Sequence, residues 1–439
     1  MSEEEFMESE ESRHSYATYF SFSTYNLVGS LIIAAQTIVL FFFYEVEIGL
    51  NIWFVFIAFA ISAVWDAVND PLIGHLIDKN TKLTKRWGRR FPWIVFGIIP
   101  WCLSLVLIYT PPAVDPQENA LFLTAWLAGS LCLFDTFHTL IYVNIVHLRA
   151  DKFRTEAERR RLAAIFTPID IIGQVSGMLL PPIFLSMGQG REIYAFMALM
   201  ISVISFIGSL LFLPGTREDE IMIERYYKSE YEEMGFFEGL KESAKLKSFI
   251  IFMIAMSAFE ITTGLLIANT IYLSTFVLRM GPDTIILIFA VLLIGAIISV
   301  PFWVKLAKKL DNNKKAFTIG GFAMCAALVP ISFFQGLIDL LIFVFILGFT
   351  TGCIWTLLLP VIQPNVLDDF VVKTRKNQKG SQVGLTTFIL RLTATIDELL
   401  IALVHTFTGF VPGQDNYAEM KAAAADINLV IWGIRILSG

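Results

Sequence analysis

Long apolar runs separated by short charged loops dominate the chain. Eleven of them are long enough to cross a bilayer as helices, which takes about 20 residues. They cover 27–44, 52–77, 92–109, 120–146, 163–186, 194–213, 248–278, 284–306, 316–335, 337–360 and 383–410. A twelfth begins near Ile427 and reaches Gly439 with fewer apolar residues than a span needs. The runs are continuous rather than alternating, which excludes a closed β-barrel and predicts an all-α polytopic membrane protein. The first run is full length and the residues before it are acidic, so no secretory signal peptide is expected.

Charge orients these spans. The loops after spans two, four, six, eight and ten hold 27 of the 33 Lys and Arg. Positive charge stays on the cytoplasmic side, which places these loops and both termini there. An even number of complete spans follows, so a full twelfth span is expected in the intact protein. The longest connection, 214–247, divides the chain into an acidic N-terminal tail (1–24), a six-helix bundle (25–213), a central cytoplasmic loop (214–247) and a C-terminal helix bundle (248–439). Each half has a basic loop after its second span. That internal symmetry predicts two pseudo-symmetric six-helix bundles related by an axis along the membrane normal, able to expose a central site to either side in turn.

Composition agrees with this picture, at 56% hydrophobic and 16% charged residues. The net charge of −6 is accounted for by Glu3, Glu4, Glu5, Glu8, Glu10 and Glu11 in the tail, and gives no sign of a nucleic-acid partner. Cys102, Cys132, Cys325 and Cys353 lie within spans, without metal-ligand spacing, and are expected to be free thiols. No phosphate loop, zinc spacing or nucleophile elbow is present, so the chain is not expected to be an enzyme. Without a nucleotide-binding domain, uphill transport would draw on an ion gradient.

The chemistry lies in the polar residues inside the spans. Asp66 and Asp70 are one helical turn apart in span two, with Asn69 on nearly the same face. A carboxylate at the bilayer centre costs about 2.5–3.5 kcal/mol on insertion scales, so such residues face a polar cavity. Two ionised carboxylates this close repel, and a bound Na⁺ or a shared proton relieves the repulsion. The alternative is an ion pair with a basic residue of another helix. Asp135 in span four, beside His138 and Thr139, would bind a substrate hydroxyl or add an oxygen to the cation site; otherwise it bonds a neighbouring helix. His138 alone reads as a packed histidine. Arg391 is the only basic residue in the middle of a span and would contact cargo or offset the acids, unless it pairs with Glu398. Asp397 and Glu398 must face a cavity or share a proton. Asp170, two residues after Pro168, would serve an opened turn. Glu260 with Thr262, Thr263 and Asn269 reads as a polar patch. Trp65, Trp126 and Trp355 are candidate ring platforms, Trp355 foremost. Gly74, Asp78, Arg89 and Arg90, at the cytoplasmic end of span two and the loop beyond, read as gating residues: the glycine allows close helix approach, and Asp78 can pair with a basic residue or a helix N-terminus.

The run Trp65-Asp66-Ala67-Val68-Asn69-Asp70-Pro71-Leu72-Ile73-Gly74, continuing to Trp87-Gly88-Arg89-Arg90-Phe91-Pro92-Trp93, resembles the glycoside–pentoside–hexuronide:cation symporters. These are the melibiose-carrier-like branch of the major facilitator superfamily. The resemblance implies the major facilitator fold and a coupling cation held by Asp66, Asn69 and Asp70. It implies substrate contacts at Asp135, at Trp355 on helix ten, and at Arg391 with Thr387 one turn before it. Two of the family's sugar contacts are replaced: the acidic residue of helix one by Ser30, and the arginine of helix five by Phe166 or Thr167. The family also includes lysolipid carriers that keep the cation site.

The resulting expectation is a multi-pass cell-membrane symporter of a sugar or sugar-acid, driven by Na⁺ or H⁺ and working by alternating access. One alternative is a cation-coupled carrier of lysolipids or other amphiphiles; another is a non-transporting sensor on the same scaffold. The expected partners are a small-molecule cargo and membrane lipid. No cofactor beyond the coupling ion is expected, and the chain is expected to act as a monomer.

Overall fold

In the computed structural model, the apolar runs form long helices, and no strand occurs among the described residues. The structure describes residues 14–77, 87–153, 155–219, 245–363 and 379–439, together with Met222, Asn365, Val366 and Asp369. In chain order the helices are α1 (Tyr16–Phe42), α2 (Ile52–Ile77), α3 (Phe91–Ile108), α4 (Ala120–Lys152), α5 (Glu156–Leu185), α6 (Arg191–Thr216), α7 (Lys247–Tyr272), α8 (Asp283–Leu310), α9 (Asn313–Leu328), α10 (Leu337–Cys353), α11 (Lys379–Thr408), α12 (Tyr417–Ala423) and α13 (Ile427–Ser438). Ten of the first eleven are long and apolar enough to cross a membrane. The other, α11, carries Arg391, Asp397 and Glu398 within its 30 residues. The apolar helix α13 has 12 residues, as short as the sequence indicated.

The chain divides into two compact units, Met1–Tyr44 with Trp53–Tyr231, and Glu45–Ile52 with Glu232–Gly439. Two features differ from the boundaries drawn on sequence. Residues 16–24 are part of α1, where Ser15 caps the first turn by accepting from the Thr18 amide. The segment Glu45–Ile52 belongs to the second unit although α1 and α2 on either side belong to the first. Hydropathy has no means of detecting either feature.

Inside each unit the same pairing recurs: α1 packs on α5 and α6, and α7 packs on α11 and α13. Likewise α3 packs on α4, and α9 on α10. The first helix of each unit also ends in a π-helical turn, Phe43–Glu47 and Leu273–Leu278. Such wide turns disrupt the regular backbone ladder and often mark functional positions. In the first unit, Gly173 and Gly177 of α5 lie against the backbone of Leu27 and Leu31 of α1; a methyl group at either would meet a carbonyl. Small residues four apart allow this approach where lipid supplies no hydrophobic drive. Large side chains such as Leu121, Phe322 and Ile338 are exposed, as expected of surfaces solvated by lipid.

Candidate functional site

The residues singled out in span two meet those of span four. On α2, Asp66 and Asn69 are buried and Asp70 is half-buried. The Asn69 amide donates to the Asp135 carboxylate on α4 at 3.1 Å. The fully buried Thr139 hydroxyl, one turn after Asp135, neighbours the Asp70 carboxyl. Asp70 and Asp135 are close enough for their charges to interact. The Trp65 indole donates to Thr136 at 2.9 Å, which fixes the start of the acidic turn against α4.

Helix periodicity puts 66, 69 and 70 on one stripe, and 135 and 139 on another. Their meeting brings Asp70, Asp135, an amide and a hydroxyl together, with Asp66 one turn back on α2. All are hard oxygen donors, or lie beside one, and suit Na⁺ or a proton rather than a soft metal. No group of three His, Cys, Asp or Glu side chains among the described residues has metal-holding geometry. The set is therefore an open array of donors and not a preassembled cage.

Other expected residues fall as follows. His138 stacks among Trp101, Phe134 and Tyr142, with ring centroids 5.4–6.3 Å away, and is a packed histidine. Ser30 of α1 donates to Asp170 of α5, and the Gln174 amide donates to the same carboxylate at 3.3 Å. Asp170 thus places a carboxylate beside Ser30, where helix one itself has none. Trp126 donates to the Leu107 carbonyl at 3.2 Å and serves packing.

Of the gating residues, Asp78 lies outside the described residues, and the surroundings of Gly74 are likewise not described. Arg89 and Arg90 are described. The Glu218 carboxylate accepts from the backbone N–H of Arg89 at 2.8 Å, Arg90 at 2.5 Å and Phe91 at 3.1 Å. It therefore caps the N-terminus of α3 and meets the dipole there. Gly88 has φ +87°, and a side chain there would overlap Glu218. The Arg90 guanidinium lies 2.9 Å from His147 Nδ1 and 3.6 Å from Asp151 on α4. Glu218 lies in the connection 214–247, where the sequence pattern alone gives it no partner.

In the second unit, Trp355 packs beside Phe259, Ile389 and Leu390 against an apolar cluster that includes Phe252, Met256 and Trp303. Arg391 follows directly on α11, and the side chain of Thr387 is not among those described. Glu260 of α7 and Asp397 of α11 are near enough to repel, and Glu398 adjoins Asp397. Gly264 of α7 makes room for the Asp397 carboxylate. The expected polar patch on α7 does not assemble: Thr262 and Thr263 bond their own helix backbone, and Asn269 bonds Ile434 and Ser438 on α13, each at 2.6 Å.

Sequence reasoning missed one polar cluster entirely. Glu45, Tyr272 and His405 are all fully buried. The Tyr272 hydroxyl donates to Glu45 at 2.7 Å, and His405 Nδ1 lies 2.9 and 3.0 Å from the two carboxylate oxygens. Each is a lone polar residue at the end of a span, a position where interface residues are ordinary. Nothing in the local pattern pairs residues 227 and 360 positions apart.

The chain is similar to known membrane transport proteins. A family model described as MFS/sugar transport protein matches residues 24–438. The sodium-dependent lysophosphatidylcholine symporter 1-B of Danio rerio is 24% identical over 428 residues, covering 86% of this chain and 77% of that protein. The inner membrane symporter YicJ of Escherichia coli is 28% identical over 173 residues, covering 38% of this chain and 35% of its own. A crystal structure of a bacterial homologue of the human lysosomal transporter Spinster, inward-facing and unoccupied, aligns with a TM-score of 0.60 at 13% identity. It covers 96% of this chain and 93% of that one.

Proposed function

The chain belongs to the MFS/sugar transport protein family, and from that premise we propose that it is a Na⁺-driven symporter of a lysophospholipid-like amphiphile. It is a membrane-spanning transporter of the symporter kind and not an enzyme. The observation that carries the cation half is the bond from Asn69 to Asp135, which joins the acidic turn of α2 to a third carboxylate on α4. In the cation-free site three neighbouring acids repel in a low dielectric. A bound Na⁺ lowers that repulsion, and the packing it favours becomes the populated one. Alternating access follows when cargo and cation together favour a state that neither favours alone.

The surroundings of Arg391 support an amphiphilic cargo. Arg391 follows Ile389 and Leu390 directly on α11, and those two side chains pack with Trp355 and Phe259 on one apolar cluster, so a charge suited to a phosphate lies next in the chain to apolar surface suited to an acyl chain. The sodium-dependent lysophosphatidylcholine symporters match over most of their length, which supports both the ion and the cargo class. The second reading is a sugar or sugar-acid cargo. It is favoured by Thr139 and Asp135, hydroxyl-binding groups on one stripe of α4, and by the family's description. The distribution of Lys and Arg supports cytoplasmic termini.

Reconstituted vesicles with an imposed Na⁺ gradient, supplied with labelled lysophosphatidylcholine and a panel of glycosides, test both halves. The expected result is lysolipid uptake that requires Na⁺ and falls to background in D66N. Sugar uptake in its place would overturn the cargo, and uptake that follows a proton gradient alone would overturn the ion. A non-transporting scaffold would move neither cargo and show no Na⁺-dependent thermal shift.

A further inference from the structure

The Glu45–Tyr272–His405 cluster is used by none of this. It sits where the π-helical turn after α1, the C-terminal end of α7 and the last turns of α11 come together in the second unit. The backbone closes around it: the Gly413 amide donates to the Glu45 carbonyl at 3.0 Å, and the Phe410 amide to that of His405 at 2.9 Å. The Phe410 ring stacks on His405 at 4.4 Å and 12°. Tyr272 meets the imidazole edge-on at 4.9 Å.

The hydrogen bonds determine where a proton can go. An ionised carboxylate only accepts, so Tyr272 and His405 Nδ1 must both donate to Glu45. Nδ1 then carries the hydrogen of a neutral imidazole, and Nε2 is left as a bare acceptor. His405 Nε2 is buried and has no hydrogen-bond partner among the described residues. In that form the cluster holds a net negative charge away from water, which is costly. A proton added at Nε2 forms one N–H bond, breaks no hydrogen bond and converts the cluster into a neutral ion pair. Nearest along the chain to the three residues, the ionisable groups are Glu47 on the π-helical turn, Arg279 just beyond α7 and Asp415 after α11; farther along, α7 carries Glu260, α11 carries Arg391, Asp397 and Glu398, α12 carries Tyr417, Glu419 and Lys421, and α13 carries Arg435. Arg279 stacks on the Tyr417 ring at 3.6 Å.

We propose that Glu45, Tyr272 and His405 form a proton-binding site, separate from the cation set of α2 and α4, whose occupancy decides how firmly residues 45–52 are seated in the second unit. Among the described residues before 232, these alone belong to that unit. The three groups follow or end odd-numbered spans, whereas the basic loops follow even-numbered ones, so the site lies toward the opposite membrane face. A proton from that side would neutralise the buried charge and hold the segment. Loss of the proton would restore the charge and loosen it. Proton concentration would thus act at one place and Na⁺ at another.

The test uses the whole protein in lipid nanodiscs and needs no cargo, so it stands apart from the transport reading. Thermal unfolding is followed between about pH 5 and pH 9 in an H14Q background, which removes the imidazole at the head of α1. The parent is expected to lose unfolding temperature with rising pH by a component that depends on His405. H405N keeps a side-chain N–H for Glu45 but does not titrate, so its curve should lose that component, while the Na⁺-induced shift stays as in the parent. A curve for H405N that superimposes on its parent overturns the proposal. If H405N does not fold, E45Q/H405N replaces the buried charge with an amide pair and its curve is judged in the same way. Y272F keeps both titrating groups and removes one donor to Glu45, so it must displace the parent curve; an unchanged curve overturns the proposal as well.

Discussion

Asn69 and Asp135 are joined by a hydrogen bond of 3.1 Å between α2 and α4. The bond makes the acidic turn of α2 and the carboxylate of α4 one electrostatic unit, so substitutions in it should not be additive. D135N keeps the shape and removes one charge. It is expected to raise the Na⁺ concentration for half-maximal uptake by about tenfold or more, the weight of a charge-assisted contact of 1.5–3 kcal/mol. N69A leaves Asp135 without its amide donor and should weaken Na⁺ to a similar degree. The double variant should then cost less than the sum. Sodium titration of uptake in the four proteins checks this, and strict additivity would show that the two residues act separately.

Glu218 holds three backbone amides at the head of α3, and it is buried. E218A leaves those donors without an acceptor, at about 1–3 kcal/mol. The expected outcome is a lower unfolding temperature and faster hydrogen exchange at residues 89–91, with the exchange of α5 unchanged. Equal exchange across both helices would mean that the carboxylate is not the cap.

These two sites differ in how far the sequence disclosed them. Asp66, Asn69 and Asp70 stand out because charge inside an apolar run is costly, and periodicity alone puts them on one face. Asp135 is visible for the same reason, but its role is not, because whether it bonds cargo or Asn69 depends on how two helices pack. The long helices are legible because apolar length suffices to call for a span. Glu218 is hidden among the other charges of its loop, and only the fold turns it toward α3. Glu45, Tyr272 and His405 are hidden because span ends commonly carry polar residues. Asp170 shows the reverse case: Ser30 implies a lost carboxylate on helix one, and the fold supplies one from α5.

His14 reports on the head of α1 by titration. Its ring lies 2.7 Å from Glu158 and 3.0 Å from Asp219. The hydrogen bond to Asp219 is the leading cause that raises its pKa above the ordinary 6.5, against an opposing effect of burial. A raised folded pKa means that the protonated form is favoured in the folded protein. The stabilisation is then fully present below the unfolded value and disappears as pH rises through the folded one. Wild-type protein should therefore lose unfolding temperature relative to H14Q as pH climbs from about 6.5 upward. Parallel melting curves across that window would remove His14 from the account.

The contact between α1 and α5 gives a prediction with its own control. Gly173 and Gly177 admit the α1 backbone, and a methyl group on Gly177 would meet the Leu31 carbonyl and the Ala34 side chain. Helix propensity alone favours alanine over glycine by about 1 kcal/mol, so the sign of a substitution shows whether contact or propensity dominates. G177A forces two backbones apart and should destabilise by about 1–3 kcal/mol, as overpacking does. G129A lies on α4, where an added methyl meets nothing within 4 Å, and it should be neutral or stabilising. Because Ser30 of α1 is bonded to Asp170 of α5, moving the helices apart strains that bond too. G177A should consequently impair cargo uptake more than its loss of stability explains, while G129A leaves uptake intact. Melting temperature and initial uptake rate, measured on both variants at equal folded protein, separate the two effects.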